Sequence, residues 1–328
     1  MTSSLGQLRK RIFGLSPDEA TFTRRGFYAS DPESRLRLER IGHTFLEGYH
    51  LALEDTGADS VASRINSQID LEFRGFGFEG AAMSLALLDM LSPWTKSRWS
   101  ALLQGPGRDH VYMIHVGLGW ALARMHRRVE RPLSRLDPLL GWLALDGYGF
   151  HEGYFYPKRY VDAIETPGRL SGDALRVFDQ GLGRSLWFSQ GADAERIPAT
   201  IKAFPEARHP DLWSGIGLAC AYAGGVDGSS LHALREAVGQ HTAHLGQGAA
   251  FAAKARQRAG NPALHTQMAC DIMCGVSADE AAQWTDAALE GLTMDDNPKS
   301  KIQNPKSRSY DLWRQRIRER VDKEALVA

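Results

Sequence analysis

Three glutamates stand directly before a glycine in stretches rich in small residues: Glu47 in "FLEGYHLAL", Glu79 in "GFEGAAMSLAL" and Glu152 in "FHEGYFY". A carboxyl among apolar neighbours is costly to ionise unless it is paired, hydrogen-bonded or protonated, so each is a candidate acid or base. His151 precedes Glu152, and an imidazole titrates near neutral pH. The pattern predicts general acid–base chemistry at His151 and Glu152, with Glu79 assisting. Phe76, Phe78, Tyr148, Phe150, Tyr154 and Phe155 surround these groups in sequence. As a pocket wall they would suit a polyunsaturated or aromatic ligand. Aromatics at helical spacing are also what a packed core requires, and that reading competes.

A metal site is the second chemistry to weigh. Glu47 and His50 are three residues apart, which puts both on one helix face. Carboxylate-bridged sites in helical proteins use two Glu-x-x-His pairs, and the chain has one here. His151 and Glu152 are adjacent and diverge by about 100° on a regular helix. Glu47 and His50 are therefore weak metal candidates. His241 with His244 and Cys270 with Cys274 have helical spacing, but nothing in the sequence joins them into a zinc site. "QGPGRDH" at Gln104 lacks the Lys-Ser/Thr ending of a phosphate-binding loop, and no Gly-x-Ser-x-Gly is present. No cofactor is expected.

The elements that must hold these residues repeat. Gly48, Gly80, Gly119, Gly153, Gly183, Gly217 and Gly248 fall 30 to 39 residues apart, each within a small-residue helix fragment. A period in the low thirties is what a helix-turn-helix repeat produces. One hairpin cannot bury its apolar face alone, so it stacks on the next, and a small residue lets two helices approach. Local signals agree: Ser277 with Glu280 forms a capping box, Asp137 precedes Pro138, and Gly224-Gly225 ends "HPDLWSGIGLACAYAGG". The predicted fold is all-α, stacked helical hairpins in a tetratricopeptide-like superhelix, with an irregular helical bundle as the alternative. Residues 1–40 are expected to be a basic segment and cap, and 41–294 the repeat domain. Residues 295–328 are expected to be a low-complexity tail, disordered across the near-duplication at Asn297 and otherwise a short basic helix or a solvated strand of chain.

Composition narrows the partners. Among 328 residues, Lys plus Arg is 39 and Asp plus Glu is 39, so the net charge of zero argues against nucleic-acid binding. No apolar run is long enough to span a membrane, and the first residues do not read as a signal peptide. Three cysteines suit a reducing cytoplasm without a disulfide framework.

The stretches "LRKRIFGLSPDEATFTRRGF", "LLGWLALDGYGFHEGYF", "FDQGLGRSLWF", "IKAFPEARHPDLWSGIGLACAYAGG" and "LGQGAAFAAKARQRAGNP" resemble the UnbL family of bacterial enediyne-biosynthesis proteins. The resemblance runs from about Leu8 to about Leu292. It implies an accessory role in natural-product biosynthesis of the enediyne or polyketide type, and it carries over no site residues. Two functions are expected on this basis: a helical-repeat protein that binds a partner enzyme or a hydrophobic polyene, or an enzyme acting on an unsaturated chain through His151 and Glu152.

Overall fold

Glycines set apart by two residues decide how the helices of this chain meet. The computed structural model describes residues 4–29, 31–92, 94, 97–127, 133, 135–168, 170–292 and 305–326, and among them there is no strand. The helices longer than one turn are α1 (Ser4–Phe13), α2 (Pro32–Glu54), α3 (Ala58–Gln68), α4 (Arg74–Leu91), α5 (Arg98–Gln104), α6 (Val111–Arg124), α7 (Leu143–Phe155) and α8 (Asp173–Ser189). They continue as α9 (Arg196–Lys202), α10 (His209–Ala223), α11 (Gly228–Ala237), α12 (Thr242–Ala259), α13 (Leu264–Cys274), α14 (Ala278–Ala287) and α15 (Pro305–Ala325). The fold is an all-α superhelix. Its inner row runs α2, α4, α6, α7, α8, α10, α12, each packed on the next. Shorter helices such as α3, α5, α9 and α11 link successive members of that row. One inner helix plus one connection makes the period seen in the sequence.

On α6, Gly117 and Gly119 point about 200° apart. A Cβ at Gly117 would strike the Glu79 carbonyl of α4, and one at Gly119 would strike the Ala144 carbonyl of α7. Gly181 and Gly183 do the same for α8, against the Asp146 carbonyl of α7 and the Leu212 carbonyl of α10. Each Gly-x-Gly thus gives its helix two opposite faces that accept a neighbouring backbone, which is what a continuous row needs.

Local signals start and stop these helices. Asp31 caps α2 by accepting from Ser34 N at 2.7 Å, with Pro32 in the first turn. Ser277 caps α14 by accepting from Glu280 N at 3.2 Å. Gly224 and Gly225, both at positive φ, end α10. The row then curls on itself. Arg37 of α2 donates to the Ala223 carbonyl at the end of α10, at 2.6 Å. Arg256 of α12 donates to the Glu72 carbonyl just before α4, at 3.2 Å. Phe76 of α4 meets Tyr222 of α10 edge-on at 5.1 Å.

Two expectations about the chain ends are corrected. The helical array begins before residue 41, because α2 runs unbroken from Pro32. The solvated-tail reading of the last segment also fails: α15 buries Tyr310, Trp313, Ile317 and Val321 against the array. Those four fall at helical spacing within an otherwise basic stretch, and the basic residues hide the apolar stripe from a composition argument. The near-duplication at Asn297 lies outside the described residues. Trp313 is wholly buried, and its indole donates to the Thr285 carbonyl at 2.8 Å. Trp313→Ala should cost about 3–5 kcal/mol in urea unfolding. A loss under about 1 kcal/mol would mean that α15 is not part of the core.

Candidate functional site

Helix α4 is buried on nearly every side, so its one acidic residue in mid-helix cannot escape to solvent. Phe76 and Glu79 are three apart and share a face, which turns into the curl of the row. On α7 the four-residue spacing of Phe150 and Tyr154 does likewise. These side chains, with Phe45 of α2, Trp120 of α6 and Phe188 of α8, enclose a cavity of about 40 Å³. Phe155 completes the wall, and Glu19 and Ala20 from the turn Pro17–Ala20 close one side. Trp120 is the hub: its ring centroid lies 4.6 Å from Phe45, 5.0 Å from Phe150 and 5.9 Å from Tyr154.

Among the described residues, Glu79 and, at the edge, Glu19 are the acidic groups of this wall. Glu79 is 1 % exposed and its Oε1 has no hydrogen-bond donor. Burial pushes its carboxyl up to about 7. The Arg184 guanidinium opposes that rise, the Asp146 carboxylate adds to it, and the Trp120 indole favours the carboxylate without completing a hydrogen bond.

The residue before the glycine that abuts the preceding inner helix explains why Glu79 stands alone. These residues are Glu79, Val116, Asp146, Gln180, Ser214 and Gln247, preceding Gly80, Gly117, Gly147, Gly181, Gly215 and Gly248. From Asp146 onward they bond to one another along the row. Gln180 Nε2 donates to Asp146 at 2.8 Å, and the Ser214 hydroxyl has one proton to share between Gln247 Oε1 at 2.9 Å and Gln180 Oε1 at 3.3 Å. Arg184 closes one end by pairing with Asp146. Arg314 of α15 closes the other, at 3.2 Å from Gln247 and 2.6 Å from Asp211. This keeps every charge of the ladder paired inside the protein. Val116 has no polar group to offer, so the ladder breaks between Glu79 and Asp146.

The register corrects the grouping of the three glutamates. The repeat counterpart of Glu79 is Asp146, not Glu152, and Gly153 instead approaches Ser185. His151 Nδ1 lies 3.1 Å from Glu152 Oε1, and both are buried. Burial lowers the pKa of His151, and Glu152 opposes that. The His151 ring packs against Phe155 at 4.8 Å and against Trp120 at 5.6 Å. Neither His151 nor Glu152 lines the cavity. Of the aromatic candidates, Phe76, Phe150, Tyr154 and Phe155 do line it. Phe78 instead stacks on His110 at 4.2 Å, and Tyr148 faces Phe178 at 6.2 Å.

The metal candidates do not come together. Glu47 is exposed, while His50 Nε2 accepts from the backbone of Leu15 at 3.1 Å. Cys270 and Cys274 are free, buried and directed at the Ala249 and Gly246 carbonyls. Among the described residues no group of three or more His, Cys, Asp or Glu could hold an ion. No described helix is long and apolar enough to cross a membrane.

The sequence reading missed Trp120, Phe45, Phe188 and the ladder. The ladder had a legible signal, since a polar residue before a close-contact glycine recurs at Asp146, Gln180, Ser214 and Gln247. Trp120 had none beyond its position next to Gly119.

A family model described as a protein of unknown function, DUF1702, matches residues 4–321. The chain belongs to the DUF1702 family. The match spans α1 to α15, so the terminal helix with Trp313 and Arg314 is part of what DUF1702 chains share, beyond the Leu292 limit read from sequence. No curated protein and no solved structure matches this DUF1702 chain.

Proposed function

We propose that this DUF1702 chain is an accessory protein of bacterial natural-product biosynthesis, of the enediyne or polyketide kind, and that it takes the unsaturated, apolar end of an intermediate into the Glu79 cavity. One observation carries this: seven aromatic side chains close around a single buried carboxyl, in a space of about 40 Å³ that suits the end of a chain rather than a whole molecule. The resemblance of several stretches to UnbL proteins supports the choice of pathway. A site inside the curl replaces the outer concave surface as the place of binding, because the wall of rings faces inward.

The test uses parinaric acid, a conjugated tetraene that accepts energy from tryptophan. Titration should quench tryptophan emission and sensitise the tetraene. Leu46 lines the cavity, and Leu46→Phe fills it. This variant should raise Kd by at least about tenfold, or 1.4 kcal/mol. An unchanged Kd places the ligand elsewhere and rejects the reading.

A further inference from the structure

Helix α1 lies on the protein the opposite way round from a helix packed by its apolar face. Leu5, Leu8 and Ile12 recur at i, i+3 and i+7, so they form one stripe. They are 55 %, 51 % and 60 % exposed. The side turned to the body is largely polar. Gly6, about 200° from Leu8, brings its backbone against the Glu54 carbonyl at the end of α2. Arg9 donates to the Leu53 carbonyl at 3.3 Å, and Lys10 pairs with Glu54 at 2.6 Å. Of the large apolar side chains of α1, Phe13 packs on the core and the other three do not. The Phe13 carbonyl accepts from the Tyr49 hydroxyl at 2.9 Å, and Leu15 N donates to His50 at 3.1 Å. These bonds fix the helix with its stripe outward. Leu36, Leu71 and Leu264 are also exposed, but they stand singly on separate elements, which is ordinary for a protein surface.

We propose that α1 is a membrane-contact helix, which lies along a bilayer that carries anionic phosphate headgroups and places Leu5, Leu8 and Ile12 among the upper acyl carbons. The proposal stands apart from the cavity reading. Charge selects this occupant. The ten residues of α1 include Arg9, Lys10 and Arg11 and no acid. Arg9 lies about 40° from Leu5 on one edge of the stripe, and the exposed Arg11 lies about 60° from Leu8 on the other. Basic side chains at the edges of an apolar stripe reach headgroup phosphates while the stripe inserts. The acids where α1 meets α2 are already engaged. Glu54 pairs with Lys10 and, at 2.9 Å, with Arg64, and Asp55 accepts from Gly57 N at 3.0 Å.

A second copy of the chain is the poorer occupant. Stripe against stripe would bring the arginines of both copies together. Three half-exposed side chains also fall far short of the roughly 20–30 residues a side of a stable protein interface. A lipid surface needs no matched area, and its charge is opposite to that of the helix. The helix is already folded and docked, so contact orders no further chain. It rests on the bilayer and does not cross it, since no described helix is long and apolar enough to do so.

Flotation of the full chain with lipid vesicles is the test. Phosphatidylcholine vesicles with about a third phosphatidylglycerol should carry the protein up a gradient, at least about fivefold better than phosphatidylcholine alone. Binding should weaken as salt is raised, because the headgroup charge is screened. A triple variant, Leu5→Ser with Leu8→Ser and Ile12→Ser, should lower the partition coefficient by at least about tenfold. Arg11→Glu should lower it by about fivefold. Leu264→Ser, at a residue 90 % exposed on α13, should float like the wild type. All of these positions are exposed, and unchanged thermal melts confirm that each variant is folded. A wild type that does not float, one that floats equally well on neutral vesicles, or a triple variant that floats like the wild type overturns the proposal. A wild type that ignores vesicles but dimerises in analytical ultracentrifugation, while the triple variant stays monomeric, also overturns it and gives the stripe to a second copy.

Discussion

Glu79→Gln is expected to be more stable than the wild type at pH 8, by about 3 kcal/mol, and equal to it near pH 4. Burial pushes the folded carboxyl up to about 7, against 4.5 in the unfolded chain. Between those values the native state binds the proton more tightly, so native stability is full below the unfolded value and is lost as pH rises through the folded one. The interval is 7 − 4.5, and each unit is worth about 1.4 kcal/mol. Gln fills the same space and never ionises, so it escapes that loss. Urea titrations of both proteins at pH 4, 6 and 8 measure it. A difference that stays flat across the series would show that Glu79 is not a buried, unpaired carboxyl. A gain in stability on losing the charge is the signature of a group kept at a cost to the fold.

Gly181→Ala should either fail to fold or lose more than about 3 kcal/mol, whereas Gly168→Ala should change stability by less than about 0.5 kcal/mol. A Cβ at Gly181 would run into the Asp146 carbonyl and the Phe150 backbone, neither of which can turn aside. Relief requires α7 and α8 to separate, and that pulls Gln180 from Asp146 and Arg184 with it. At Gly168 a Cβ meets nothing within 4 Å. Thermal melts of the two variants compare close backbone approach with the bare loss of glycine entropy. If both melt within a degree or two of the wild type, the inner helices are not in backbone contact.

The all-α class and the repeat were legible because a glycine at a tight contact leaves a periodic mark that no other residue can replace. The paired hairpins follow from the same period. The site was half legible. Glu79 and four of six aromatic candidates line the cavity, but flanking a glycine does not sort them: Phe78 and Tyr148 flank glycines and face elsewhere, while Phe155 flanks none. The grouping of Glu79 with Glu47 and Glu152 failed because a single glycine per repeat does not fix register. Two glycines, Gly147 and Gly149, fix it on α7, and they select Asp146. The apolar face of α15 was masked by its arginines. One of these, Arg314, is itself wholly buried against Asp211 and Gln247, an arrangement visible only once α10 and α12 are side by side.

Val116 has a mechanical consequence. From α7 to α12, each helix is pinned to the next by a side-chain hydrogen bond at the same height, so axial sliding would break a bond at every step. At α6 that pin is absent, and the neighbouring helices are held at this height by shape alone. A small slide of α6 there gives up dispersion contacts but no rung. The unpinned joints on either side of α6 carry Trp120 and border the cavity. Room for a guest larger than 40 Å³ is therefore least costly to make at the place where the guest would lie.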